Sequence, residues 1–289
     1  MKKLLILSGK GGTGKTTTAA AFIEFSKARA IADCDVDAPN LHLVTKMNTK
    51  AEKSDFIGAE KAYIDPDKCV GCQICKDHCR FDAIKVNDSG LCEIKEYACE
   101  GCGVCEYVCP AGAVKMLEDV AGEKELYKGE VVFSTATLKM GRGNSGKLVT
   151  DVKKDMASAA PSDTEIAIID GSPGIGCPVI ASVSGVDLVL IVAEPSISGK
   201  SDLERIIKTT QILQTKAVVC VNKYDTNVDK TNEIIDICEE LHIPFVGKVP
   251  YDKKASKAIN SGVSLASYDC PARDALYDIY KKTLEVLTY

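Results

Sequence analysis

The sequence predicts an α/β fold with a mostly parallel sheet, interrupted by a small inserted α+β unit. Short apolar runs alternate with helical patterns in the first and last stretches of the chain, as strands covered by helices on both faces require. A glycine-rich loop joins the first of these runs to the first helical stretch. Nine of the 14 cysteines lie between Cys69 and Cys109, where the alternation stops.

The 289 residues suffice for one large α/β domain with a small insert. Hydrophobic residues (45%) are numerous enough to fill a core, and a formal charge of −5 carries no signature of non-specific nucleic-acid binding. No nucleic acid is therefore expected as a partner. No apolar stretch approaches the roughly 20 residues of a membrane span, and the four apolar residues after Lys3 are too few for a secretion signal. A cytoplasmic protein with no membrane role is expected.

Strands are predicted at 3–7, 30–34, 166–169, 188–193, 217–221 and 245–249, and helices at 16–28, 200–214 and 232–241. Apolar residues at helical spacing over 271–288 predict a last helix docked on the parent sheet. Within 117–165 only a strand near Val131 and a helix over 146–156 can be assigned.

Gly9-Lys10-Gly11-Gly12-Thr13-Gly14-Lys15-Thr16 satisfies G-x-x-x-x-G-K-[ST] between a strand and a helix. Glycines allow backbone N–H groups to turn inward around phosphates, and the helix behind presents its positive end. Gly11, Gly12, Thr13, Gly14, Lys15, Thr16 and Thr17 are accordingly assigned to nucleotide, with Lys15 on the β and γ phosphates and the Thr16 hydroxyl on Mg²⁺. Four further segments close later strands: Asp33-Cys34-Asp35-Val36-Asp37, Asp170-Gly171-Ser172-Pro173-Gly174, Asn222-Lys223-Tyr224-Asp225 and Pro250-Tyr251-Asp252.

With Lys10 in the loop (K-G-G-T-G-K-T) and these segments in this order, the chain resembles the MinD/ParA/Mrp-type P-loop ATPases, the deviant Walker A group that includes the nitrogenase iron protein. The resemblance implies ATP and Mg²⁺ as cofactors and a homodimer, or a heterodimer with a homologous ATPase, that sandwiches two ATPs. It implies that Lys10 acts on the partner's phosphates. Asp35 would orient the attacking water near Mg²⁺, a duty Asp33 or Asp37 could share, and Asp170 would hold Mg²⁺ through water. Asn222 would meet the adenine edge, flanked by Pro250, Tyr251 and Asp252. Because N-K-x-D is also a guanine signature, the base follows from the resemblance alone.

Cys69, Cys72, Cys75 and Cys79 have the spacing C-x₂-C-x₂-C-x₃-C, and Cys99, Cys102, Cys105 and Cys109 repeat it 30 positions later. This is the run of two-cluster bacterial ferredoxins, whose fourth cysteine ligates the other cluster. One [4Fe–4S] cluster is therefore assigned to Cys69, Cys72, Cys75 and Cys109, and a second to Cys99, Cys102, Cys105 and Cys79. Arg80 stands where the motif usually has proline, which Pro110 supplies in the second copy. The domains expected are 1–60 and 118–289 for the ATPase and 61–117 for a ferredoxin-like insert. Cys92 is left over as a spare thiol. Cys34, Cys220, Cys238 and Cys270 read as buried apolar residues, and Cys177 as an interface thiol.

Read together, these features predict an ATPase whose closure gates electron transfer through two clusters to a redox partner. The alternatives are an iron–sulfur carrier of Mrp type serving a cluster-accepting protein, although its C-terminal C-x-x-C is missing here, and a positioning ATPase like ParA or MinD.

Overall fold

The computed structural model describes residues 1–45 and 47–288. In chain order the elements are β1 (Lys2–Leu7), α1 (Lys15–Ser26), β2 (Ala30–Asp33), β3 (Glu52–Ile57), β4 (Lys61–Ile64), α2 (Ile74–Asp77), β5 (Ile84–Val86) and β6 (Cys92–Ile94). There follow α3 (Val104–Tyr107), β7 (Val114–Leu117), β8 (Val120–Tyr127), β9 (Val132–Leu138), α4 (Ser145–Ala159), β10 (Ile166–Asp170), α5 (Cys177–Val183) and β11 (Leu188–Ala193). The chain ends with α6 (Ile197–Ile212), β12 (Lys216–Asn222), α7 (Val228–Glu240), β13 (Phe245–Val249), α8 (Lys253–Asn260) and α9 (Pro271–Thr288).

Two compact units result. The first comprises Met1–Lys53, Lys124–Thr137 and Ser145–Tyr289. Its sheet runs in the order β13-β12-β11-β1-β10-β2-β9, with parallel pairing throughout this series. Beyond β9 the order continues through β8 and β3, the strands in which the chain leaves this unit and returns. The parallel strands are apolar runs because helices cover both faces: every residue of β11 is buried. Leu4, Ile6, Ile168, Leu190 and Val218 face the small and aromatic residues of α1, Ala19 to Phe22, and those of α9. Phe22 is fully buried, with its ring edge-on to Tyr280 of α9 at 5.2 Å between centroids. The last helix thus packs on the parent sheet, and among the described residues no helix is long and apolar enough to cross a membrane.

Two strands of the large sheet escape sequence analysis. β8 (VAGEKELY) and β3 (EKSDFI) have no continuous apolar run, since most of their residues remain partly or fully exposed. The strand expected near Val131 is β9, and the helix expected at 146–156 is α4.

The second unit comprises Ser54–Glu123 with Leu138–Asn144, wider than 61–117. Arg142 ties the added segment down through Asp119 (3.2 Å), the Glu96 carbonyl (3.1 Å) and the Tyr97 ring. β4 pairs antiparallel with β7, and β5 with β6. The 30-residue repeat therefore folds as two interleaved copies, each contributing one strand to either ribbon and one four-residue helix, α2 or α3. Its core is thin, with Ala62, Ile64, Ala83, Ile84 and Val114 packed among cysteines.

Replacing Phe22 with alanine removes a fully buried ring from the α1–α9 contact. The Phe22→Ala variant should lose about 3–5 kcal/mol, read as a lowered urea midpoint of the far-UV circular dichroism transition. An unchanged midpoint would refute this account of the core.

Candidate nucleotide site and cysteine cavities

Because the strands run parallel, the segments after β1, β2, β10, β11, β12 and β13 all emerge at one edge of the sheet, where such folds bind ligands. The loop after β1 turns through Gly12 (φ +80) and Gly14 (φ +95), backbone conformations that side chains oppose. A Cβ on Gly14 would also lie 2.2 Å from Asn222 Nδ2. α1 begins at the next residue, so its unpaired N–H groups point into the loop.

Lys15 opens α1 yet is only 5% exposed. Its ammonium donates to Asp170 Oδ1 at 2.6 Å and lies 3.8 Å from Asp35. The Thr16 hydroxyl donates to the other Asp170 oxygen at 2.7 Å. Burial works against the Lys15 charge, but Asp170, Asp35 and Asp33 outweigh it and hold the lysine above its ordinary range. The carboxylates bear the complementary strain. Burial, with Asp170 adding repulsion, pushes Asp33 up to about 7 against backbone N–H bonds from Leu41 and Asp35. Asp35 is also raised, by burial first, with Asp170 and Asp37 adding.

Lys15, Thr16 and Asp35 border an open cleft. Lys10, Gly11, Gly12, Gly14, Lys15, Thr16, Thr17 and Asp35 line it, as do Asn222, Pro250, Tyr251 and Asp252 from the far side. Asp170 closes the floor behind Lys15, and Thr13 is buried in the loop beneath. Asn222 is engaged with the loop itself, its Nδ2 donating to the Thr13 carbonyl at 2.7 Å and its Oδ1 accepting the Lys223 N–H. Asp225 accepts the Tyr251 N–H at 2.7 Å, which fastens one base-side segment to the other.

Lys10 extends to residues that sequence analysis missed. Its ammonium donates to Ser196 and Ser198 at 3.2 Å each and lies 3.6 Å from Glu194. Ser196 also caps α6 by accepting the Gly199 N–H, a role its position before a helical run could have suggested.

In the second unit the cysteines divide between two cavities. One is lined by Cys69, Cys72, Cys75 and Cys109, with Cys92 added. The other is lined by Cys79, Cys99, Cys102 and Cys105. Backbone N–H groups reach three of the sulfurs: Ala62 to Cys99 and Ala83 to Cys79 at 3.4 Å, and Ala113 to Cys109 at 3.3 Å. Burial would raise Cys109, yet the amides around Ala113 hold it below the ordinary thiol range. Burial and the thiol of Cys92 push Cys75 up to about 12.

Among the described residues, no three His, Cys, Asp or Glu side chains converge to hold a single metal ion. A [4Fe–4S] cube makes the opposite demand, because its four thiolates bind four different irons and must ring a cavity. The two four-cysteine cavities, with N–H donors aimed at sulfur, fit that demand.

The CobQ/CobB/MinD/ParA nucleotide-binding domain matches residues 4–265. The chain belongs to this family. An uncharacterized protein of Methanocaldococcus jannaschii is 33% identical over 99% of this chain and 97% of its own length. An iron–sulfur cluster carrier protein of Pyrococcus abyssi is 26% identical over 99% of this chain and 86% of its own. Among solved structures, the cell division ATPase MinD of Pyrococcus furiosus shares the fold, with a TM-score of 0.58 at 17% identity over 99% of both chains. The α/β fold with its mostly parallel sheet is therefore that of the MinD-like P-loop proteins.

The remaining free cysteines lie apart from the cavities. Cys34, Cys220, Cys238 and Cys270 are buried, whereas Cys177 is exposed at the start of α5.

Asp33 supplies a pH test. A carboxylate in an unfolded chain titrates near 4, while Asp33 in the fold titrates at about 7. Folding thus favours its protonated form, and that contribution is complete below about pH 4 and lost as the pH rises through about 7. In nucleotide-free protein the urea midpoint should fall between about pH 5 and about pH 8, with a shallower fall in Asp33→Asn. The same slope in both proteins would exclude Asp33 as its source.

Proposed function

We propose that this chain is a dimerising ATPase of the MinD/ParA type that holds two [4Fe–4S] clusters and offers them to a partner protein according to its nucleotide state. One observation carries the reading. A single polypeptide gathers Lys15, Thr16 and Asp170 at the carboxyl edge of a parallel sheet and divides eight cysteines, four and four, between two cavities.

Lys15 turns from Asp170 to the β and γ phosphates of ATP, and the loop N–H groups with the α1 terminus cradle them. Thr16 and Asp170 offer adjacent hard oxygens that would suit Mg²⁺, which would supply charge neutralisation at the phosphates. Asp35 orients the attacking water. Lys10 is the signature residue of a deviant Walker A loop and reaches the partner subunit's site, where it steadies the charge of phosphoryl transfer. Asn222, Pro250, Tyr251 and Asp252 border the adenine end. Cys69, Cys72, Cys75 and Cys109 hold one cluster, and Cys79, Cys99, Cys102 and Cys105 the other. The clusters supply one-electron chemistry or, released, iron and sulfide.

Two uses of such clusters follow. Delivery of clusters to an acceptor protein is backed by the relative named as an iron–sulfur cluster carrier, and the comparisons favour this use. Transfer of electrons is backed by the ferredoxin spacing and by cavities that ring their sulfurs with protein.

Anaerobically purified protein should contain about eight irons per chain, and iron near zero would overturn the cluster assignment. With an apo-protein acceptor, ATP-dependent appearance of labelled iron in the acceptor marks delivery. Oxidation of reduced clusters with no loss of iron marks electron transfer. On the nucleotide side, Lys10→Ala should still bind ATP but hydrolyse it ~10³-fold more slowly, the scale of an arginine finger. Lys15→Ala should lose binding as well. Full turnover by Lys10→Ala would refute action in trans.

A further inference from the structure

The chain leaves β2 at Asp33 and runs past the cleft as a loop until Leu41, whose side chain is buried in the core of the sheet. Three backbone N–H groups of that loop donate to a single side chain. Asp33 Oδ1 accepts the Asp35 N–H at 3.0 Å, while Oδ2 accepts those of Asn40 at 3.0 Å and Leu41 at 2.9 Å. The acceptor is the last residue of the strand, and its donors lie two, seven and eight positions further on. One carboxylate thus joins the start of the loop to its end.

Asp35 sits inside this closed segment. Its N–H is one of the three donors, its side chain borders the cleft, and its carboxylate lies 3.8 Å from the Lys15 ammonium. Other bonds fix where the loop begins: the Cys34 N–H donates to the Asp170 carbonyl at 2.7 Å, and the Ser172 hydroxyl donates to the Cys34 carbonyl. They leave the path beyond Cys34 to the Asp33 carboxylate and to a turn in which the Ala38 N–H donates to the Asp35 carbonyl at 3.2 Å. Asp33 itself is fully buried, with both oxygens taken up by the loop backbone, whereas Asp37 is exposed. The three acids of the segment are therefore not interchangeable. Asp35 borders the cleft, Asp33 gathers the backbone, and Asp37 meets solvent.

We propose that Asp33 is a positioning residue for ATP hydrolysis: by binding the N–H groups of Asp35, Asn40 and Leu41 it holds the loop closed and sets the Asp35 carboxylate beside Lys15, without itself touching nucleotide, metal or the attacking water. The proposal rests on the reading of the cleft as an ATPase site in which Asp35 orients that water.

The test pairs amide hydrogen exchange of the nucleotide-free protein with steady-state ATPase kinetics. In wild-type protein the amides of Asp35, Asn40 and Leu41 should be protected, and free exchange there overturns the proposal without any variant. Asp33→Asn keeps the size of the side chain but must turn its NH₂ group toward N–H donors on one side or the other, so at least one bond is lost. The three amides should then lose protection while those of β1 and β10 keep theirs. The kcat of Asp33→Asn should fall by about 10²-fold, the scale for a reacting group misplaced by about 1 Å. KM for ATP should stay in place, because the glycine loop and Lys15 are unaltered. In an Asp35→Ala background, Asp33→Asn should slow hydrolysis no further. A double variant slower than Asp35→Ala alone overturns the proposal, since Asp33 would then act apart from Asp35. A changed Mg²⁺ requirement in Asp33→Asn with loop exchange unaltered also overturns it, since Asp33 would then serve the ion and not the loop. Wild-type protein that turns over no ATP, or full turnover by Asp35→Ala, would instead refute the reading of the cleft, and the proposal with it.

Discussion

The carboxyl edge of the sheet depends on one buried ion pair, Lys15 with Asp170, whose side chains are 6% and 0% exposed. Removing either partner of such a pair strands a charge in the protein interior, at a cost of about 3–5 kcal/mol. The pairing is imposed by topology. β1 and β10 are neighbours in the register Ile6↔Asp170, so the loop that leaves β1 must pass the Asp170 carboxylate before α1 begins. Asp33 and Asp35 crowd the same place from β2, giving three carboxylates around one ammonium. Burial first, and repulsion from Asp170 after it, raise Asp33 and Asp35. Under the proposed reading, a divalent cation beside Thr16 and Asp170 would offset part of this negative charge.

What could be read from the sequence follows from how completely each element is buried. β11 and β12 announce themselves because both faces are covered and nearly every residue is apolar. β3 and β8 each carry three charged residues and stay mostly exposed, and a period-two signal interrupted by glycine or acids is too weak to find them. The glycine loop was legible because its chemistry is local. The contacts of Lys10 were not, because Glu194, Ser196 and Ser198 lie just beyond β11, at the start of α6, and meet it only through the β1–β11 pairing. For the same reason the sequence offers Asn222 as a candidate site residue without revealing that its amide braces the Thr13 carbonyl.

In the second unit a different balance holds. Its buried apolar side chains are few and small, and much of its interior is sulfur. A unit of this size with so thin a core ordinarily needs a staple, and metal bound to thiolates contributes its binding free energy directly to folding. Under the proposed reading the clusters are therefore structural as well as chemical. Each draws three cysteines from one copy of the repeat and the fourth from the other, which binds the two copies together in the same way that β4–β7 and β5–β6 pairing does.

If Lys10 acts on a partner subunit as proposed, little within its own chain holds it back. Its ammonium is more than a third exposed, and its partners within the chain are two hydroxyls at 3.2 Å and a carboxylate at 3.6 Å. Exposed bonds of this kind contribute about 0.2–1 kcal/mol each, against the stronger attraction of a lysine for phosphate charge in a closed, desolvated site. Ser196 keeps its second function, capping α6 through Gly199, whether or not Lys10 is present. Release of the lysine therefore leaves the helix end intact. Under the proposed reading, the contacts that hold Lys10 within one subunit are weak enough to yield when the dimer closes and remain in place to receive it again.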